Sequence, residues 1–146
     1  MNLEMLTPDK VQIKNQVDNW SEAISIASQP LLQQAYFDKR YVQAMIDSVH
    51  NLGPYIVIAP EIAIAHARPD ESVSKVGLSL LKLEKHINFS AEGHYASLIF
   101  VLSAVDNTQH LELLRQLAQV LGEQQTVERL LQTTDKNKLI NILKGE

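Results

Sequence analysis

The spacing of hydrophobic residues divides the chain into a helical beginning, a strand-rich middle and a helical end. In the first and last parts, apolar residues recur at the three-to-four-residue spacing of one buried helix face. In the middle they form shorter runs without that period, which favours strands. This order predicts the α/β class: a single layered domain over residues 1–146, with a small mixed β-sheet flanked by helices and a helical C-terminal part.

The first helix is predicted over 20–34, after a short strand at 11–14. Asp18 or Asn19 can cap it, because a side-chain oxygen at this position accepts a hydrogen bond from a free backbone N–H. Pro30 falls inside the helical pattern. It should kink or divide the helix, since proline lacks an N–H and its ring clashes with the preceding turn.

Later helices are predicted from their caps and apolar faces. Asp38 caps a second helix that ends near residue 50, before an Asn-Leu-Gly-Pro segment that stops it. Leucines at helical spacing predict a third helix over 108–121. Two shorter helices are expected over 126–131 and 136–143.

Four apolar runs in the middle of the chain predict strands. The runs 55–59 and 62–65 form either two strands flanking a turn or one broken strand. The run 76–83 alternates in part, and Lys82, Glu84 and Lys85 suit an exposed strand end. The run 96–104 is nearly all apolar, so we expect a central strand covered on both faces.

Composition and charge exclude several classes of function. The net charge is −4 and no cluster of Lys and Arg occurs, which argues against nucleic acid as a partner. The absence of cysteine excludes disulfides, thiol catalysis and thiolate metal sites. The N-terminus does not resemble a signal peptide, and no apolar stretch approaches the roughly eighteen residues of a membrane helix. We therefore expect a cytoplasmic protein without direct membrane insertion.

His66 is the first candidate for chemistry, because an apolar run ends abruptly on it. A neutral imidazole is both a nucleophile and a good leaving group near pH 7, and reversible phosphoryl transfer needs both properties. Arg68 can supply a fork of donors to phosphate oxygens. The alternative is a surface histidine in an ordinary loop, and the local sequence does not decide between the two.

His110 is the second candidate, because it falls in the first turn of the predicted third helix. Asp106 is the expected N-cap, and Gln109 completes a pair that resembles a capping box. Free N–H groups and the positive end of the helix dipole favour an anion here. The alternative is a histidine that only bonds the helix cap.

The other histidines receive no functional assignment. His50 lies near a helix C-terminus, where a partly positive ring is favourable in itself. We interpret His86 as a turn residue and place His94 in a flexible loop at 90–94.

A metal site is not predicted, although one arrangement stays open. The chain has no HExxH motif and no pair of histidines four residues apart. A metal-dependent hydrolase would require His66 and His110 to converge with a carboxylate such as Glu61. A third possibility is an interaction domain in which the histidines are incidental.

Several short motifs together resemble the type 2 enzyme IIA proteins of the bacterial sugar phosphotransferase system, in the mannitol, fructose and ascorbate branch. The order and spacing of the motifs carry the resemblance, which covers roughly 20–143. The motifs are Gly53-Pro54-Tyr55, Ala59-Pro60, Ala63-Ile64-x-His66-Ala67-Arg68-Pro69 and Asp106-Asn107-x-x-His110-Leu111.

The resemblance implies a phosphoryl carrier with a phosphohistidine intermediate and no cofactor. His66 would accept a phosphoryl group from the phosphocarrier protein HPr and pass it to a cysteine of a cognate IIB protein or domain. The contact with the membrane would be indirect, through the IIC component. His110 matches the second active-site histidine of the family, which supports the phosphorylated one.

Three positions depart from the family pattern. Ala65 replaces a proline before the active histidine, and Glu61 replaces a glycine after the Ala-Pro pair. Ser48 stands where mannitol-type members carry an active-site arginine, so Arg68 would stabilise the phosphate instead. The His-x-Arg-Pro ending resembles ascorbate-like and cryptic mannitol-like members, which implies uptake of ascorbate or a mannitol-like polyol. A regulatory relative of the nitrogen type, using the same histidine as a switch, is the alternative.

Overall fold

The computed structural model describes residues 3 and 5–145, and shows a mixed sheet with helices on both faces. Within these residues the strands are β1 (Val11–Lys14), β2 (Val57–Ala59), β3 (Glu61–Ala65), β4 (Gly77–Asn88) and β5 (Tyr95–Ser103). The helices are α1 (Trp20–Gln33), α2 (Lys39–Leu52), α3 (Asn107–Leu121), α4 (Gln124–Gln132) and α5 (Lys136–Leu143). None of the described helices is long and apolar enough to cross a membrane. The α/β class, the mixed sheet and the helical C-terminal part are confirmed.

The strand order β1-β4-β5-β3-β2 puts β5 in the middle of the sheet, as predicted. β3 runs parallel to β5, with Ala65 opposite Val101, and antiparallel to β2. β4 is antiparallel to β5 and parallel to β1. Because β3 and β5 are parallel, their C-terminal ends reach the same edge of the sheet. The segments that follow them, beginning at His66 and Ala104, therefore leave from one edge.

Two apolar clusters, one on each face of the sheet, form the core. Successive strand residues point to opposite faces. In β3, Ala63 and Ala65 pack with α1 and α2, whereas Ile62 and Ile64 pack with α3, α4 and α5. In β5, every residue from 96 to 103 is buried, which matches a strand covered on both faces.

The two short apolar runs in the middle of the chain are strands flanking a tight turn. β2 and β3 are antiparallel, and Pro60 lies between them. Glu61 opens β3 with a φ of 76°, a left-handed conformation that favours glycine. Its carboxylate accepts a hydrogen bond of 3.0 Å from the Ser97 hydroxyl. Glu61 and His66 thus lie at opposite ends of β3.

Pro30 was expected to kink or divide the first helix, and it does not divide it. α1 is a single helix with Pro30 buried in its last turn. Since proline has no N–H, the carbonyl of Ile26 loses its helical donor. The side-chain amide of Gln12, on β1, donates to that carbonyl at 2.6 Å. A neighbouring strand therefore supplies the missing hydrogen bond.

The last part of β4 contradicts two expectations. The strand continues to Asn88 through a register shift between residues 82 and 87, so His86 lies in a strand rather than a turn. Glu84 and Lys85 are exposed, as expected, but Lys82 is only 2 % exposed. Its ammonium donates to the carbonyl of Leu131 at 2.8 Å and to that of Thr133. These carbonyls at the end of α4 make burial of the lysine tolerable.

Candidate functional site

The edge where β3 and β5 end brings the predicted site residues together. His66 directly follows β3, and Asp106 caps α3 shortly after the end of β5. His110 lies in the first turn of α3. The ring centroids of His66 and His110 are 5.2 Å apart, with an interplanar angle of 62°. Two histidines from distant parts of the sequence therefore form one pair.

A hydrogen bond to the backbone fixes the tautomer of His66. Its Nδ1 lies 2.8 Å from the carbonyl oxygen of Ile64. A carbonyl can only accept, so Nδ1 carries the proton of the neutral ring and Nε2 keeps a lone pair. Within the described part of the chain, Nε2 makes no hydrogen bond. The basic nitrogen of the ring is therefore available to an external group.

Burial keeps both imidazoles in the neutral form. It lowers the pKa of His66 below its ordinary value, although the hydrogen bond to the Ile64 carbonyl acts in the opposite direction. It also lowers the pKa of His110, and a positive charge on His66 would lower it further. Near neutral pH the pair thus contains two uncharged rings, which is the state that a histidine nucleophile needs.

The start of α3 has the predicted cap. The carboxylate of Asp106 accepts a hydrogen bond of 2.8 Å from the backbone N–H of Gln109. In return, the side-chain oxygen of Gln109 accepts from the N–H of Val105 at 3.2 Å, one residue before the position that a standard capping box uses. The Nδ1 of His110 is buried without a hydrogen-bond partner among the described residues. This ring is therefore not bonded to the cap.

An open cavity of about 410 Å³ connects His66, His110 and Arg68. Arg68 is exposed, and it makes no hydrogen bond or ion pair with the residues that the structure describes. Its guanidinium is available for an anion in the cavity. The cavity is also lined by Ala44, Ser48, Leu52, Tyr55, Ala67 and Asp70. Ser48 thus faces the same space as the candidate residues, although it has no charge to contribute.

Two tyrosines, Tyr41 and Tyr55, also contact this site, although the sequence analysis did not assign them to it. The hydroxyl of Tyr55 donates to the His66 carbonyl at 3.0 Å, and the rings of Tyr55 and His66 meet edge to face at 5.4 Å. The buried hydroxyl of Tyr41 accepts a hydrogen bond of 3.1 Å from the Ala67 N–H. The Gly-Pro-Tyr motif pointed to Tyr55 without a role. Tyr41 was part of an apolar helix stripe, and no local signal separates it from an ordinary core residue.

The remaining histidines lie elsewhere. His50 packs against Trp20 at 4.9 Å between ring centroids, and His94 bonds the Ser90 hydroxyl. His86 contacts Tyr95 and approaches the Glu61 carboxylate to 3.7 Å.

The arrangement required for a metal-dependent hydrolase does not form. Glu61 is at the far end of β3 from His66, so it does not join the histidine pair. Over residues 3 and 5–145, no group of three or more His, Asp or Glu side chains is placed to hold a metal ion.

Exposed apolar side chains occur in the lining of the cavity and around the start of α3. Leu52 is 73 % exposed and Tyr55 39 % exposed, and both line the cavity. Leu111, directly after His110, is 66 % exposed, and Val105 lies exposed just before the cap of α3. Single exposed leucines are common on proteins, but a group around one cavity indicates a contact surface.

A family model and individual related proteins all match this chain to enzyme IIA components of the phosphotransferase system. Residues 4–146 match the family model described as phosphoenolpyruvate-dependent sugar phosphotransferase system, EIIA 2. The chain is 33% identical to the mannitol-specific cryptic phosphotransferase enzyme IIA component of Escherichia coli K12, over 91% of this chain and 90% of that protein. It is 29% identical to the ascorbate-specific EIIA component of the same strain, over 91% and 88%.

A solved complex shows the same fold in contact with a partner. It contains the mannitol enzyme IIA of Escherichia coli and phosphorylated mannitol enzyme IIB. The chain matches it with a TM-score of 0.82 and 25% identity, covering 94% of this chain and 96% of that one.

Proposed function

The chain belongs to the EIIA 2 family of the phosphoenolpyruvate-dependent sugar phosphotransferase system, and we propose that it carries its phosphoryl group on Nε2 of His66. HPr is the donor, and a cysteine of a cognate IIB protein or domain is the acceptor. The observation that carries the proposal is the hydrogen bond from Nδ1 of His66 to the Ile64 carbonyl. It leaves Nε2 as the nucleophilic atom beside the cavity.

Each transfer exchanges one bond to phosphorus for another. In the first, the Nε2 lone pair attacks phosphorus, the P–N bond forms, and the bond between phosphorus and HPr breaks. In the second, the IIB cysteine thiolate attacks, the P–S bond forms, and the bond to His66 breaks. The ring returns to its neutral tautomer with Nδ1 protonated. Such transfers depend on in-line positioning and charge stabilisation rather than on new covalent chemistry.

His110 and Arg68 stabilise the phosphoryl oxygens in this proposal. A phosphoryl group carries roughly −1.5 to −2 charge at neutral pH, and it would lie against the first turn of α3. Arg68 has no competing acidic partner in the described part of the chain, so its donors are available. The pKa of His110, lowered by burial in the free protein, rises when this negative charge arrives. A proton taken up by His110 would add a second cation beside the phosphoryl group.

The surroundings of the cavity support protein partners instead of a small substrate. The exposed apolar side chains at its border, including Leu52 and Leu111, give a protein a surface to contact. The complex of a related IIA with its phosphorylated IIB supports the second partner. The relatives named for cryptic mannitol and ascorbate systems support a role in uptake of a mannitol-like polyol or ascorbate.

The test is intact-mass measurement after incubation with phosphoenolpyruvate, enzyme I and HPr. The wild type should gain one phosphoryl group. His66→Ala should gain none, whereas His94→Ala, a matched histidine variant away from the cavity, should gain one. His110→Ala and Arg68→Ala should be labelled at least tenfold more slowly, as expected for loss of a charge-stabilising group.

Labelling of His66→Ala would move the carrier to another residue, and His110 would be examined next. A folded wild type without any label would overturn the proposal. Addition of IIB should remove the label from the wild type, and a label that persists would contradict the second transfer.

A further inference from the structure

The peptide bond that follows His66 has both of its polar groups bound by tyrosine hydroxyls. Its carbonyl, on His66, accepts from Tyr55 at 3.0 Å. Its N–H, on Ala67, donates to the hydroxyl of Tyr41 at 3.1 Å. Tyr41 lies in the first turn of α2, and Tyr55 lies in the turn between α2 and β2, so two different segments hold this peptide.

This peptide needs such partners because it lies just beyond the sheet. β3 ends at Ala65, and the ladder with β5 ends with the pair Ala65–Val101. Ala67 is buried, so its N–H would lose both water and a strand partner. The Tyr41 hydroxyl satisfies it and donates its own proton to the Leu102 carbonyl at 2.7 Å. The segment after β3 is thereby tied to β5 through one phenol.

We propose that Tyr41 and Tyr55 are positioning residues that hold the imidazole of His66 in its reactive orientation; this inference rests on the proposed function of His66. The hydrogen bond from Nδ1 of His66 reaches back two residues to the Ile64 carbonyl. That geometry requires a defined direction of the His66 Cα–Cβ bond. A fixed peptide on the C-terminal side sets this direction.

The two phenols suit this task for different reasons. Tyr41 is fully buried and cannot turn to water. Tyr55 is partly exposed, but its ring packs edge-on against the imidazole with an interplanar angle of 84°, which limits rotation of both rings. Burial raises the pKa of both phenols. Each hydroxyl therefore keeps its proton throughout the neutral pH range.

The experiment compares Tyr41→Phe and Tyr55→Phe with Tyr36→Phe as the control. Each change removes a single hydroxyl, and the Tyr36 hydroxyl makes no hydrogen bond within the described residues. Nitrogen-15 NMR of the imidazole reports the His66 tautomer and pKa in the free protein. Intact-mass kinetics with phosphorylated HPr report the transfer rate. We expect both site variants to lose the pure Nδ1–H tautomer and to accept phosphoryl groups 10- to 100-fold more slowly.

The control variant should match the wild type in both measurements. A site variant that keeps the wild-type tautomer overturns the proposal for that tyrosine, even if transfer is slower. If Tyr41→Phe does not fold, Tyr55→Phe tests the proposal instead. Tyr55 is 39 % exposed, so the fold should tolerate the loss of its hydroxyl. If the wild type itself accepts no phosphoryl group, the proposed function fails, and the tautomer spectra still decide whether the tyrosines position the ring.

Discussion

His66 shows how one backbone hydrogen bond defines the chemistry of a side chain. The Ile64 carbonyl selects the tautomer, and burial keeps the ring neutral by lowering its pKa. The ring of His110, with its centroid 5.2 Å away, is also neutral, so the pair carries no charge near neutral pH. His50, His86 and His94 are the same residue type but lie elsewhere, so the environment of His66 results from its position in the fold.

The lowered pKa of His66 predicts how transfer depends on pH. If His66 is the carrier, protonation of Nε2 removes the lone pair that attacks phosphorus, so the acceptance rate should be level well above pH 6.5, the ordinary pKa. It should fall at lower pH, with a midpoint below 6.5. Rates measured with phosphorylated HPr, together with NMR titration of His66, check this. A midpoint above 6.5 would contradict the burial argument.

The lowered pKa of His66 should also make the folded protein less stable at low pH. The unfolded chain has an ordinary histidine pKa of 6.5, so between 6.5 and the lower folded value it binds protons that the folded protein does not. The free energy of unfolding therefore falls as the pH drops through this window. Urea titrations at several pH values measure the effect, and His66→Gln should remove its share of it.

At the scale of elements, side chains from distant segments donate hydrogen bonds to helix carbonyls that have no donor within their own helix. Gln12 of β1 bonds the carbonyl that Pro30 leaves open in α1. Lys82 of β4 bonds the last carbonyls of α4 while it is almost fully buried, and burial lowers the pKa of its ammonium group. Neither partner is visible in the local sequence, because each bond joins parts of the chain that are far apart.

Replacement of Lys82 tests this arrangement. Lys82→Met keeps the aliphatic stem but leaves the Leu131 and Thr133 carbonyls without a donor, so we expect a loss of about 1–3 kcal/mol in the free energy of unfolding. Hydrogen exchange should accelerate at the end of α4. Lys85→Met, at an exposed position of the same strand, should stay within about 0.5 kcal/mol of the wild type. Equal stabilities for the two variants would show that the buried ammonium does not support α4.

The sequence predicted the elements well where one physical pattern dominates. Helical spacing located α1, α2 and α3, and the nearly all-apolar run 96–104 located β5 as the central strand. The prediction failed at Lys82 and His86, because polar side chains in a strand become acceptable only through partners that other elements supply. Tyr41 was missed for a similar reason: its hydroxyl function depends on Ala67 and Leu102, which no pattern around Tyr41 reveals.

For the whole molecule, the cavity lies where β3 ends, and residues from α2, from the segment after β3 and from the first turn of α3 line it. Exposed apolar residues gather there, although the chain as a whole carries a net charge of −4. The pairing of His66 with His110 was predicted only through the family resemblance. Periodicity does not reveal which strand ends share an edge, and that depends on the parallel alignment of β3 with β5.

A charge placed on this apolar border should weaken transfer between proteins. Leu111→Asp adds a carboxylate at a position that is 66 % exposed, so the fold should tolerate it. We expect kcat/KM for transfer from HPr or to IIB to fall about tenfold, corresponding to roughly 1.4 kcal/mol of lost contact energy. Gln125→Asp, on the exposed surface of α4, controls for the added charge. Equal effects of both variants would argue against a contact at Leu111.

The parallel pairing of β3 with β5 also affects how a newly made chain matures. The histidine pair and the bond from Tyr41 to Leu102 join segments distant in sequence, and contacts of this kind form late because a long loop must close first. A partly folded chain with helices but without a closed central sheet therefore has no assembled site. If His66 is the carrier, such an immature chain would accept no phosphoryl group, and acceptance of one would report that the central sheet has closed.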